Sequence, residues 1–241
     1  MKYHRSNAEL FADARRALLG HLSAAVWSML LFLALTVFLA QFSSSFNLSN
    51  VYLGLLISLA SRFVSTLLLS LFGIGLSSIF LNLLYGQPAS PRGLLTRFFE
   101  NQDTCIRVRF YITVGEFICL MPIQLFLALV PRQTLSNLLP VTAGLALFCL
   151  AGYMYWSLTF SMANFLLLDF PDMSAERILH AARTMMKGNR IRLLKLYIRL
   201  LPLHLLGIFS FGIANIWTSC CQYACVAAFY KDMMNAAKAS E

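Results

Sequence analysis

The sequence predicts an all-α, multi-pass transmembrane bundle of about six helices. It adds amphipathic interfacial helices on the cytoplasmic side and puts both termini inside. Three observations predict this. Of the 241 residues, 59% are hydrophobic and the mean hydropathy is +0.70, whereas a soluble domain is nearer about 45–50% apolar. Apolar runs close to the roughly 20 residues that cross a bilayer recur along the chain. Three segments mixing apolar and basic residues, 7–20, 91–109 and 174–199, each run into an apolar stretch that returns as a hairpin. Residues 1–241 read as a single membrane domain.

The first segment, 7–20, reads as an interfacial helix opened by a capping box of Ser6 and Glu9. The apolar run that follows is too long for a signal peptide, and Phe38 spoils a cleavage site near Ala40. It is therefore expected as an uncleaved first span, 22–42. A Ser/Asn-rich loop leads to the second span, 60–85. The apolar stretch there begins near residue 51 and exceeds one bilayer crossing, so a strong tilt, a protrusion or a break is expected, with Gly73 and Gly75 as bend points. Ser90-Pro91 reads as N-cap and first helical residue of a second interfacial helix, about 91–107. The third and fourth spans are 109–130 and 143–168; the latter again sits in an over-long stretch, with Gly144 as the bend point. Ser174 is the expected N-cap of a third interfacial helix, 174–190. The last two spans, 195–212 and 214–230, are short.

Charge sets the orientation. Of the 19 Lys and Arg residues, only Arg62 and Arg132 lie away from the side that holds both termini and the three basic segments. Such a bias places that side in the cytoplasm. In a soluble chain a net charge of +9 would suggest nucleic acid. Here no nucleic-acid pattern accompanies it, and the basic residues flank apolar spans, so anionic phospholipid is the expected partner. A second membrane protein, or a second copy of this chain, is also compatible with the Gly- and Ala-bearing faces. None of the six cysteines sits in an outer loop, so structural disulfides are not expected. Cys220, Cys221 and Cys225 share one helix without a His or acid at ligand spacing, so they read as small packing residues and no metal is expected.

The first and third segments resemble each other. Ala8-Glu9 aligns with Ala175-Glu176, Ala14 with Ala181 and Arg16 with Arg183. A glycine follows in both, Gly20 and, one residue later, Gly188. The physical reading is a repeated unit: an interfacial helix, a glycine-permitted turn, then a hairpin of two spans.

Few residues carry chemistry. Glu116 lies inside the third span, where an acid costs several kcal/mol unless it is paired or wet. Its candidate partners are Arg62, Arg199 and His204. Arg62 matches its depth only if the second helix begins near residue 51; a start near residue 63 would let Arg62 snorkel to the outer interface. Arg192, Lys195 and Arg199 recur at i, i+3 and i+7 and, with Lys187 and Arg190, form a candidate patch for lipid headgroups or a partner. Pro202 should kink the fifth span next to His204. Asn164, Asn215 and Gln222 read as interhelical hydrogen-bonding residues. No HExxH, GxSxG or Walker A pattern occurs, so neither catalytic residues nor a cofactor are expected.

The closing third carries a resemblance. Ala181-Ala182-Arg183-Thr184-Met185-Met186-Lys187-Gly188-Asn189 is followed by Gly212-Ile213, Tyr223 and finally Ala227-Ala228-Phe229-Tyr230. This series resembles the bacterial integral membrane family called "domain of unknown function 975", and 14–20 fits it too. The family's usual Ser is Ala181 or Ala182 here, Gln222-Tyr223 replaces a Pro-Tyr pair, and Ala214 stands for a second Gly. The resemblance implies a multi-pass protein of a bacterial cytoplasmic membrane and transfers no catalytic residue. The function expected is a non-enzymatic protein organising lipid or a partner membrane protein at the inner leaflet. The alternative is a small transporter or export factor using Glu116 and the Pro202/His204 helix, which requires a polar cavity reached by Glu116. An intramembrane enzyme is the third reading.

Overall fold

A computed structural model describes residues 7–19, 22–44, 51–87, 102–130, 138–210 and 213–238. Among them the chain is helical throughout, without a strand. Helix α1 (Asn7–Leu18) leads into a hairpin of α2 (Leu22–Ser44) and α3 (Val51–Leu84). A second hairpin joins α4 (Gln102–Leu129) to α5 (Leu139–Phe160), which resumes after a short break as α6 (Ala163–Asp169). Helix α7 (Ala175–Met186) leads into the third hairpin, α8 (Arg190–Phe209) and α9 (Ile213–Lys238). Four helical stretches are long and apolar enough to cross a membrane: Leu22–Gln41, Leu53–Leu84, Gln102–Leu129 and Leu139–Asp169. α8 and α9 fall short of that standard, although six spans were expected. The reasons differ. α8 bears Arg190, Arg192, Lys195 and Arg199 in its first half. α9 is wrapped by α1, α2, α3 and α8, so its surface meets protein and can be built from Cys, Ala and Thr.

The leading helices show why the chain folds this way. α1 and α7 each have 12 residues and are amphipathic, with an acid in the first turn and an Arg in the last, which complements the helix dipole. An isolated helix of that length is marginal in water. Burial decides the matter: α1 sinks Leu10, Ala14 and Leu18, and α7 sinks Ile178, Ala182 and Met186. Each fully buried Leu, Ile or Met contributes about 1.5–3 kcal/mol. The same register continues into the next helices, where Ala25 and Ser28 of α2 match Leu193 and Leu196 of α8, all buried. The repeat therefore exists in the packing, but one position later than the sequence alignment of Ala14 with Ala181. Matching Ala and Arg residues could not settle the register, because both recur within a turn; the buried face does.

α1 rests on α9 of the third hairpin, and α7 rests on α5 and α4 of the second. Each leading helix thus lies on the hairpin preceding it, and α1 closes the series by lying on the last. Most of the segment that should lead the second hairpin, 91–107, is outside the described residues; from Gln102 onward the chain is already in α4. The Ser6 capping box and Ser90-Pro91 are outside them too. Ser174 does occupy the N-cap of α7 in extended conformation, but its hydroxyl makes no capping hydrogen bond. Gly188 turns the chain from α7 into α8 at φ +88, a conformation that favours glycine.

Neither over-long stretch breaks at the glycines expected as bend points. α3 runs unbroken for 34 residues through Gly73 and Gly75, a length of ~51 Å. The second stretch does break, not at Gly144 but at Ser161-Met162, between α5 and α6. Buried residues concentrate at the starts of α2, α4 and α8 and at the ends of α3, α5 and α9, so the core sits at the end of the bundle covered by α1 and α7. Elsewhere large apolar side chains such as Trp27, Phe38, Ile118 and Phe148 face outward, Phe148 at 76% exposure, as on a surface built for lipid. Hydroxyls on these helices bond back into their own backbone: Thr36 donates to the Phe32 carbonyl and Ser77 to that of Gly73.

Candidate binding site at Glu116

α4 carries two adjoining faces. Thr113, Phe117, Leu120 and Gln124 recur on one, and Arg109, Ile112 and Glu116 on the other. α5 is drawn close beside them because residue 115 is glycine: a Cβ there would strike the Trp156 indole ring. That ring is held in place, its Nε1 donating to the Ile112 carbonyl at 3.0 Å and its face meeting Phe160 at 4.9 Å.

Two hollows flank this seam. The first is a groove of about 490 Å³ between α2, α3, α4 and α5, lined by Thr36, Arg62, Ser65, Thr66, Thr113, Glu116, Gln124 and Tyr153 among others. The second is a cavity of about 210 Å³ deeper in the bundle, where Ser77 of α3, Arg109 and Glu116 of α4, Ser157 of α5, Asn164 of α6, Tyr197 of α8 and Gln222 and Tyr223 of α9 converge. Glu116 belongs to both. Three buried polar atoms lining these hollows have no hydrogen-bond partner among the described residues: Thr113 Oγ1, Gln124 Oε1 and Arg109 Nε. Buried polar atoms are nearly always satisfied, so these three leave hydrogen-bonding capacity at the walls of the hollows.

The sequence expectations divide here. α3 starts at Val51, the start that brings Arg62 level with Glu116, and the two share the groove. Arg199 and His204 do not join them. Arg199 is exposed, and His204 turns its Nδ1 to the Leu200 carbonyl of its own helix at 3.1 Å. The electrostatic partner of Glu116 is Arg109, two turns earlier on α4. Sequence reasoning counted Arg109 among the topology-setting charges; the Arg-x6-Glu spacing was the available signal, hidden by the expectation that the span began at residue 109. Arg109 donates to Asn164 Oδ1, and Asn164 Nδ2 donates to Ser77 Oγ at 3.4 Å. The break at Ser161-Met162 immediately precedes Asn164.

The five-residue basic patch is not one surface. Arg192 is ion-paired with Asp232 at 2.6 Å and lies over the Phe229 ring at 4.9 Å. Arg190 stacks on Tyr155 at 4.5 Å. Lys187, Lys195 and Arg199 remain exposed.

The Phe229-Tyr230 pair has a structural explanation. Tyr230 is fully buried, stacks on Phe165 at 5.2 Å and donates to Asp169 at the end of α6 at 2.6 Å. Lys231 reaches the Leu84 carbonyl at 3.4 Å and covers the Tyr85 ring at 4.9 Å. Desolvation and the Asp169 carboxylate push the Tyr85 phenol above its usual 10.0. One turn of α9 thereby ties together the ends of all three hairpins. Cys220, Cys221 and Cys225 are buried and unoxidised on the same helix, with Cys220 Sγ directed at the Ala25 carbonyl at 3.7 Å.

No curated protein and no solved structure matches the chain. One family model does match, over residues 1–237, so the chain belongs to the family described as "Protein of unknown function (DUF975)".

Proposed function

We propose that the chain is a six-span protein of a bacterial cytoplasmic membrane, with both termini on the cytoplasmic side, that admits a polar solute into its bundle past Glu116. It acts as a non-enzymatic carrier. The carrying observation is that Glu116 lines both the groove and the cavity. This is the arrangement the transporter reading requires, and a Glu116 sealed against a single arginine would have spoken against it. A carrier must hold unsatisfied polar groups inside an apolar envelope, at a cost of several kcal/mol. A purely structural bundle has no reason to bear that cost. The four helices of membrane-spanning length and the basic residues around α1, α7 and α8 support the location and orientation.

Water must be able to reach the groove. In a background lacking the six native cysteines, Thr66→Cys, at an exposed position in the groove wall, should react with a membrane-impermeant thiol reagent, while outward-facing Phe148→Cys should not. An unreactive Thr66→Cys in folded protein would sink the carrier reading.

A second reading is supported by the exposure of Lys187, Lys195 and Arg199, which suit anionic phospholipid headgroups at about 1 kcal/mol per charge. Replacing all three by Gln should reduce anionic lipid retained through purification; unchanged lipid content would remove this role.

A further inference from the structure

We propose that the cavity beside Arg109 binds a small oxyanion, a carboxylate or a phosphate, so that the solute admitted past Glu116 is anionic. This rests on the carrier reading and adds its substrate class. Arg109 brings a guanidinium with five N–H donors and no acceptor. One donor is spent on Asn164 Oδ1, and Nε is buried with no partner. Asn164 is turned with its acceptor towards Arg109, and its amide N–H donates away to Ser77. A neutral amide oxygen orients the guanidinium without cancelling its charge. Glu116, two turns along the same helix, interacts with Arg109 electrostatically but makes no ion pair with it, and both line the cavity. Of the remaining polar walls, Ser157, Tyr197, Gln222 and Tyr223 can donate, while the Ser161 hydroxyl is committed to the Leu158 carbonyl at 3.0 Å. The guanidinium therefore keeps donors free for a ligand. An oxyanion placed on Nε would satisfy Arg109 in the planar, two-point manner that guanidinium favours. The cavity, at about 210 Å³, has room for phosphate, acetate or a short dicarboxylate.

The test is thermal unfolding of the full chain in detergent at constant ionic strength, titrated separately with inorganic phosphate, acetate and succinate against chloride, and with glycerol as the neutral control. We expect a saturable rise in Tm with at least one oxyanion. Which anion acts separates the phosphate source from the carboxylate source, and either supports the site. Arg109→Gln should abolish the effect. Should that variant fail to fold, Ser157→Ala and Gln222→Leu keep the cation and remove single donors, and each should weaken the anion response about tenfold. No saturable response to any oxyanion, an equal response to glycerol, or a response unchanged in the donor variants would overturn the proposal. The two readings fail separately. A saturable oxyanion effect with an unreactive Thr66→Cys keeps the site and removes the carrier, whereas a reactive Thr66→Cys without any oxyanion effect removes the anion and keeps the carrier.

Discussion

Gly115 illustrates how much one missing Cβ decides. It lets the Trp156 ring lie against α4 and bond to the Ile112 carbonyl. Gly115→Val should therefore lower stability by about 1–3 kcal/mol through overpacking, read as a fall in Tm. Gly144 has nothing within 4 Å of its Cβ position, so Gly144→Ala should hold or raise Tm. Equal effects of the two would show that the seam is not close-packed. Arg192 and Asp232 make a second residue-scale prediction. Asp232 is 6% exposed, so Arg192→Met takes a charge partner from a buried carboxylate and should cost up to about 3–5 kcal/mol. Adding Asp232→Asn should restore part of that loss. A double variant no more stable than the single would mean the ion pair is not what holds α8 to α9.

At the scale of elements, α1 and α7 are copies in packing. Ala14 and Ala182 occupy the same step of the repeat and are buried to 1% and 0% exposure. Ala14→Leu and Ala182→Leu should each destabilise by about 1–3 kcal/mol, while Ala8→Leu on the exposed face of α1 should be tolerated. Denaturation midpoints of the three variants measure this, and tolerance at either buried alanine would break the equivalence. The sequence showed that both helices exist and are amphipathic, because a 3.6-residue period is a local property. It missed their register by one position, since the buried stripe is selected by α9 and α5, which lie far along the chain.

For the whole molecule, alternation of hairpins puts α1, α7 and the packed core at one end of the bundle. If that end is cytoplasmic, a reporter fused after Lys238 that is active only in the cytoplasm should be active, and one inserted at 45–50 inactive. The reverse pattern would invert the proposed orientation. The candidate site was half legible at this scale. Glu116 stood out as an acid in an apolar run, and Arg62 was one of three candidate partners, matching its depth only if its helix began near residue 51. Arg109 was missed because it sits beside Arg107 and resembles a flanking charge. Its inward position follows from where α4 begins and from Asn164, which reaches it from another hairpin.

Composition, periodicity and charge by themselves determined a helical chain with several membrane-length apolar stretches, three hairpins and a basic side, while the family resemblance was carried by particular residues between Ala181 and Tyr230. Those properties depend on neighbours within a few turns. Only the tertiary structure decided which face of α1 and α7 is buried, that Arg192 is committed to Asp232 rather than to a lipid-facing patch, and that Glu116 stands between two polar hollows. These depend on contacts between helices widely separated in sequence, where the size of one side chain or the absence of a Cβ sets what can meet.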